Sequence, residues 1–139
     1  MKLEVKNRNE AEKGIKAIDK SRAKTDLCER TFAFSVRVYK LCKELNAKSI
    51  NETVICRQLI KSGTSIGANI EEGRAGQSRA DFVSKYNIAL KEARETFYWL
   101  RLLKAVEIFP ETKLSDLLAE CDELIAILTS TVKKIRNKR

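Results

Sequence analysis

The chain has 139 residues, of which 43% are hydrophobic and 34% are charged, with one proline and five glycines. A chain of this length forms one domain and can bury enough apolar surface to be stable without a metal or a disulfide. No apolar stretch approaches the roughly 18 residues of a membrane span, and the N-terminus lacks the apolar core of a signal peptide. We therefore expect a cytoplasmic protein that does not enter a membrane.

The formal net charge of +9 is concentrated at the two ends of the chain. Residues 1–24 contain eight basic and four acidic residues, and residues 133–139 contain five basic residues and no acid, so residues 25–132 have no net charge. Apolar residues are too sparse in 1–24 for a packed face, and we predict a basic, mobile arm there. The candidate nucleic-acid-binding residues are the basic side chains of the two ends: Lys2, Lys6, Arg8, Lys13, Lys16, Lys20, Arg22, Lys24, Lys133, Lys134, Arg136, Lys138 and Arg139.

From about residue 25 the apolar residues are spaced as in amphipathic helices. We predict one domain over 25–137 with four helices, at about 27–46, 50–72, 78–108 and 112–137. The first helix has two apolar stripes: Phe32, Val36, Tyr39 and Cys42 in one, and Phe34, Val38, Leu41 and Leu45 in the other. Ser49-x-x-Glu52 has the spacing of a capping box and marks the start of the second helix.

The second helix has small residues in its middle, including Gly63 and Gly67. A glycine inside a helix costs about 1 kcal/mol relative to alanine. Close approach of a neighbouring helix would compensate for that cost, and a local kink is the alternative. Gly73 is well placed to end this helix, and Ser78-x-x-Asp81 is a second capping box that opens the third.

The third and fourth helices each carry a heptad seam. The third has Phe82, Tyr86, Ala89, Ala93, Thr96, Leu100 and Leu103, and the fourth has Leu114, Leu117, Cys121, Leu124, Leu128, Thr131 and Ile135. Four amphipathic helices joined by short loops predict an all-α, antiparallel up-down-up-down four-helix bundle.

The third helix has more apolar residues than one bundle core can bury. Outside its seam lie Phe97, Tyr98, Trp99, Leu102 and Val106. A monomer would expose these side chains as a patch, whereas contact with another copy would cover them. We take the five residues as a candidate oligomer interface and expect a cyclic homo-oligomer. Long side chains that lie over the bundle surface are the alternative.

No enzymatic or metal site can be assembled from the sequence. The four cysteines are never spaced as zinc ligands, and the chain has no histidine. We interpret the cysteines as small hydrophobic side chains, expect no cofactor, and predict that the protein is not an enzyme. Glu71 and Glu72 fall at the end of the second helix, where the helix dipole disfavours acids, so Arg74 or Arg79 is expected to neutralise them.

The segment 62–73 reads SGTSIGANIEEG and is followed by SRADF at 78–82. It resembles the bacterial four-helix-bundle family of proteins encoded in intervening sequences of 23S ribosomal RNA genes, whose hallmark includes S-I-x-x-N-I-x-E-G and then S-x-x-E/D-F. The motif residues in this chain are Ser62, Ser65, Ile66, Asn69, Ile70, Glu72, Gly73, Ser78 and Phe82. The resemblance implies a homopentameric barrel without known catalytic activity. It also relates the chain to the accessory variability determinant of diversity-generating retroelements, a basic pentamer that binds a reverse transcriptase and RNA.

Two functional hypotheses follow. In an up-down-up-down bundle the start of the first helix and the end of the fourth lie at the same end, so the two basic segments converge there. The first hypothesis is therefore a non-catalytic oligomer that binds nucleic acid, RNA in particular, through these ends, and that could serve as an accessory subunit of a reverse transcriptase. The second is a protein-binding scaffold whose basic ends only increase solubility.

Overall fold

The computed structural model describes residues 26–45, 49–107 and 111–138, apart from the side chain of Glu111. These residues form four helices and no strand: α1 (Leu27–Leu45), α2 (Ile50–Ala75), α3 (Arg79–Ala105) and α4 (Glu111–Asn137). Extensive contacts join α1 to α2, α2 to α3 and α3 to α4, and a smaller contact joins α1 to α4. This arrangement confirms the predicted all-α four-helix bundle.

The two predicted capping boxes open α2 and α3. The hydroxyl of Ser49 accepts a hydrogen bond from the backbone N–H of Glu52 at 3.2 Å, and that of Ser78 accepts one from the N–H of Asp81 at 3.1 Å. Each bond satisfies a backbone donor that a helix N-terminus leaves without a partner. The predicted end of the first helix at 46 lies outside the described residues. The predicted end of the third helix at 108 is wrong, because α3 ends at Ala105 and is capped by Val106.

The predicted end of α2 at residue 72 is wrong. The helix continues to Ala75 and is capped by Gly76, so Gly73 lies inside it and is buried. A Cβ atom at Gly73 would come within 3.1 Å of the Cβ of Lys85 and 3.2 Å of the ring of Tyr86, both on α3. Gly73 therefore serves close packing of α2 on α3 rather than termination of the helix.

Gly63 and Gly67 bring α2 close to α1. A Cβ at Gly63 would lie 3.1 Å from both methyl groups of Val38, and one at Gly67 would lie 3.1 Å from Oγ1 of Thr31. Of the two explanations for these glycines, close approach is therefore the one that the structure supports.

The core consists of the seam residues of α3 and α4 together with one apolar face from each of α1 and α2. In α3 every seam residue from Tyr86 to Leu103 is buried, and Phe82 at its start is half-buried. In α4 the seam is buried as far as Leu128, whereas Thr131 and Ile135 are half-buried. The bundle core therefore ends before α4 does.

Only one of the two apolar stripes of α1 faces the core. Phe34, Val38 and Leu41 are at most 4% exposed, whereas Phe32 is 63% exposed and Tyr39 is 57% exposed. Both stripes satisfy the helical periodicity, but among the described helices α1 packs mainly against α2 and makes a smaller contact with α4. The outer stripe, from Phe32 to Tyr39, is therefore apolar surface.

Candidate nucleic-acid interface

Side-chain contacts show that all four helices meet at one end of the bundle. Arg74, in the last turn of α2, interacts electrostatically with Asp26, directly before α1. Arg79, the first residue of α3, donates a hydrogen bond from Nη2 to the carbonyl oxygen of Ile135 in α4 at 3.3 Å. The start of α1 and the end of α4 therefore lie at the same end, as the topology predicted.

We define the basic end as the cluster of six exposed cationic residues that these contacts bring to this end of the bundle. They are Arg74, Arg79, Lys133, Lys134, Arg136 and Lys138. The segments that carry them, 73–80 and 133–138, contain no acidic residue. Among the described residues, no carboxylate forms an ion pair with Arg79, Lys133, Lys134, Arg136 or Lys138. Five of the six cations of the basic end therefore have no acidic partner in the described part of the chain, and they form a concentrated positive surface.

Four of the thirteen candidate nucleic-acid-binding residues, those at positions 133–138, lie in the basic end. The eight basic residues of 1–24 and Arg139 lie outside the described residues. Arg74 and Arg79 join the cluster, although they were not among the candidates. The signal for them was present in the sequence, because the segment 73–80 has two arginines and no acid.

The acidic residues at the end of α2 have a different partner from the one expected. The carboxylate of Glu72 forms an ion pair with Lys85 of α3, with Oε2 and Nζ 2.8 Å apart, and not with Arg74 or Arg79. Glu72 lies in the last turn of α2, and Lys85 supplies the positive charge that the position was expected to need. Arg74 instead donates from Nε to the hydroxyl of Tyr86 at 3.4 Å, and this hydrogen bond raises the pKa of Arg74.

The last turns of α4 extend beyond α1. Arg30, close to the start of α1, forms ion pairs with Glu120 and Glu123 of α4, with Nε of Arg30 2.6 Å from Oε1 of Glu120. From Glu123 to Asn137, α4 rises by roughly 20 Å at about 1.5 Å per residue. Only three residues of α1 precede Arg30, so α1 begins well before this length of α4 is covered. The side chains at 133–138 are exposed for this reason.

The outer face of α3 has a shallow apolar cavity of about 710 Å³ near its C-terminal end. Phe97, Tyr98 and Leu102 line it together with Leu118 of α4. Of the five candidate interface residues, Tyr98 and Val106 are 55% and 49% exposed, and the other three are half-buried. The indole N–H of Trp99 is buried without a hydrogen-bond partner among the described residues.

The cysteines show no reactive arrangement. Burial raises the pKa of the Cys42 and Cys121 thiols to about 12, which keeps them protonated and unreactive at neutral pH. The described residues contain no group of three or more cysteine or acidic side chains that could hold a metal ion. No helix in the described ranges is long and apolar enough to cross a membrane.

Comparison with known proteins places the chain in a family. Residues 23–130 match the family model described as 23S rRNA-intervening sequence protein. The chain belongs to this family. The crystal structure of a protein of unknown function from the S23 ribosomal protein family of Bacteroides thetaiotaomicron is 42% identical to it with a TM-score of 0.70, over 76% of this chain and 97% of that one. A search of curated proteins returns no match.

The residues of the family motif in α2 have structural roles in this chain. The hydroxyls of Ser62 and Thr96 form a buried hydrogen bond of 2.9 Å between α2 and α3. Ser65 donates to the carbonyl oxygen of Lys61 at 2.6 Å, and Asn69 donates to that of Ser65 at 2.7 Å, so both polar groups are satisfied within the helix. Ile66 and Ile70 have no exposed surface.

The remaining motif residues fix the connection between α2 and α3. Gly73 allows close contact with Tyr86, and Phe82 stacks on the same ring with the centroids 4.0 Å apart. Glu72 is paired with Lys85, and Ser78 caps α3. In this family member the motif therefore positions the turn between Arg74, at the end of α2, and Arg79, at the start of α3.

Proposed function

We propose that this protein is a non-catalytic, oligomeric helical bundle that binds nucleic acid, RNA in particular, through its basic end. The observation that carries the proposal is the convergence of six exposed cations from two distant segments of the chain, with no acidic residue in either segment. Cations without interleaved aromatic residues contact phosphates, so the binding is electrostatic and weakly selective for sequence.

The cations of α4 have a second physical role, which has to be separated from binding. Basic residues in the last turn of a helix stabilise it through the helix dipole by about 0.3–1 kcal/mol each. That effect accounts for cations on α4 but not for Arg79, which is the first residue of α3 and lies at the end where the dipole disfavours positive charge. The gathering of cations from both helices therefore supports a shared anionic ligand.

Self-association supplies the second part of the proposal. The outer stripe of α1 and the apolar cavity on α3 leave large hydrophobic side chains exposed on separate helices, among them Phe32, Tyr39 and Tyr98. Contacts between copies through these surfaces would cover them. A cyclic arrangement would place the basic ends of all copies on one rim and multiply the number of phosphates held at once. A reverse transcriptase as protein partner remains a prediction from the family resemblance.

Fluorescence anisotropy with a labelled RNA tests the proposal. A variant with glutamine at Lys133, Lys134, Arg136 and Lys138 should bind at least about tenfold more weakly than the unchanged protein at low salt, because four phosphate contacts are lost. A matched control has glutamine at four exposed cations of the bundle body, Lys40, Lys43, Arg57 and Lys91, and the same net charge.

Weakening of binding in the first variant alone supports the basic end as the interface. Equal weakening in both variants would show that only the net charge of the chain matters. Full binding by the first variant would exclude α4 as the contact surface. Absence of RNA binding by the unchanged protein at low salt would contradict the proposed function and favour a scaffold that binds other proteins.

A further inference from the structure

A cleft lies between the first turns of α3 and the last turns of α4, within the basic end. Its volume of about 940 Å³ is within the range of sites that hold small organic ligands. Arg79, Arg136 and Lys138 line it, and no carboxylate does. The cleft is shallow and open to solvent, and it combines positive charge with room for a group larger than a phosphate.

One hydrogen bond holds the guanidinium of Arg79 at the charged side of the cleft. Nη2 of Arg79 donates to the carbonyl oxygen of Ile135 at 3.3 Å, which holds the guanidinium against the end of α4. A guanidinium has five N–H donors, and the others remain available to an anion. Arg136 and Lys138 are exposed beside it, and none of the three cations is paired with a carboxylate of the described chain.

Two apolar and two polar side chains line the rest of the cleft. Val83 and Ile135 are half-buried there, and the neighbouring Ser84 and Asn87 make no side-chain hydrogen bond with any described residue. Asn69 of α2, by comparison, donates to the carbonyl oxygen of Ser65 at 2.7 Å. The half-buried amide of Asn87 is therefore a donor and acceptor that faces a ligand-sized space without a protein partner.

We propose that this cleft binds one unpaired nucleotide of an RNA single strand. The phosphate lies against Arg79, Arg136 and Lys138, the base or ribose lies over Val83 and Ile135, and Ser84 and Asn87 supply hydrogen bonds. A base within a duplex is stacked on its neighbours and paired, so it cannot enter such a cleft, and duplex RNA would contact only the outer cations. The inference rests on the proposed function and adds to it a preference for single strands.

The preference can be measured with two labelled RNAs, a single-stranded oligouridylate and a hairpin duplex with the same number of phosphates. Binding at one low salt concentration should be stronger for the single strand. The variant Asn87→Leu keeps the charge and removes the hydrogen-bonding group, and Val83→Trp fills the cleft. Asn87→Leu should lower single-strand affinity roughly three- to tenfold, the usual effect of one lost hydrogen bond, with duplex affinity unchanged.

The control is Asn51→Leu, the same exchange at an exposed position of α2 far from the basic end, which should change neither affinity. Thermal unfolding of each variant establishes that it is folded. A selective loss of single-strand binding in both cleft variants supports the proposal. Equal affinity for the two RNAs, unaffected by the cleft variants but sensitive to salt, would overturn the cleft and leave the proposed function intact. Absence of binding to either RNA would overturn both.

Discussion

Replacement of Gly67 by alanine is expected to destabilise the bundle, although alanine is the better helix former. In a helix interior this exchange alone would stabilise by about 1 kcal/mol. At Gly67 the added Cβ would lie 3.1 Å from Oγ1 of Thr31 and 3.3 Å from its carbonyl carbon. Thr31 is fully buried and its hydroxyl donates to the carbonyl oxygen of Leu27 at 2.8 Å, so α1 itself must move. Overpacking costs about 1–3 kcal/mol, which leaves a net loss of about 1 kcal/mol.

The free energy of unfolding can be obtained from urea titrations followed by circular dichroism. The protein concentration must be the same throughout, because self-association would stabilise the folded state at higher concentration. The control is Ala68→Gly at the exposed neighbouring position, which should lose about 1 kcal/mol through helix propensity alone. Both exchanges should therefore destabilise, although they are opposite in kind. A gain of about 1 kcal/mol for Gly67→Ala would refute the close approach of α1 and α2.

A double-mutant cycle at Gly63 tests the same packing with a partner that can be removed. A Cβ at Gly63 meets both methyl groups of the buried Val38 at 3.1 Å. Gly63→Ala and Val38→Ala should each destabilise, and the double variant should lose at least about 1 kcal/mol less than the sum, because the second exchange makes room for the first. Additive losses would show that the two residues do not compete for space.

Three further predictions concern other parts of the molecule. Because burial raises the pKa of the Cys42 and Cys121 thiols from near 9 to about 12 in the folded protein, the free energy of unfolding should fall above about pH 9, by up to about 1.4 kcal/mol per pH unit for each thiol; urea titrations should show this decline, and it should be smaller in a variant with alanine at both positions, in which Cys56 is the remaining buried thiol with a raised pKa. Glu107→Gly should raise the free energy of unfolding by about 1 kcal/mol, since Glu107 has a φ of 54°, which glycine adopts without a Cβ penalty; no change in urea titrations would contradict this. Tyr98→Asp with Leu102→Asp should shift the protein to a monomer in light scattering, and an unchanged mass would remove α3 from the oligomer interface.

The fold could be predicted because several local signals agree. The heptad seams of α3 and α4, the capping boxes at Ser49 and Ser78, and the scarcity of proline all indicate the same bundle. Each of these signals depends on residues close together in the sequence. The structure confirms the bundle that they predict.

The errors arose where a local signal had more than one explanation. Glycine commonly ends a helix, and Gly73 was predicted to do so. In the structure, the close approach of Tyr86 on another helix is what requires a residue without a side chain there. Phe32 and Phe34 both fit an apolar stripe, and only the packing of α1 against α2 decides which of them is buried. Periodicity identifies an apolar face but not the neighbour that covers it.

The candidate site was predicted in part. The cations of α4 are recognisable as a run without acids, and the topology places them at the end where α1 begins. From the sequence, Arg79 is an expected partner of Glu72. In the structure it donates a hydrogen bond to Ile135 instead, which is 56 positions away in the sequence. A contact of that separation is set by the packing of α3 on α4 and has no counterpart in local sequence patterns.

The salt dependence of RNA binding tests the role of the basic end most directly. For a single strand, the slope of the logarithm of affinity against the logarithm of salt concentration is about −0.7 for each phosphate that a cation neutralises. Glutamine at Lys133, Lys134, Arg136 and Lys138 should therefore make the slope shallower by about 3, whereas the same exchange at Lys40, Lys43, Arg57 and Lys91 should leave it unchanged. An identical slope in the unchanged protein and in both variants would contradict the assignment of RNA binding to the basic end.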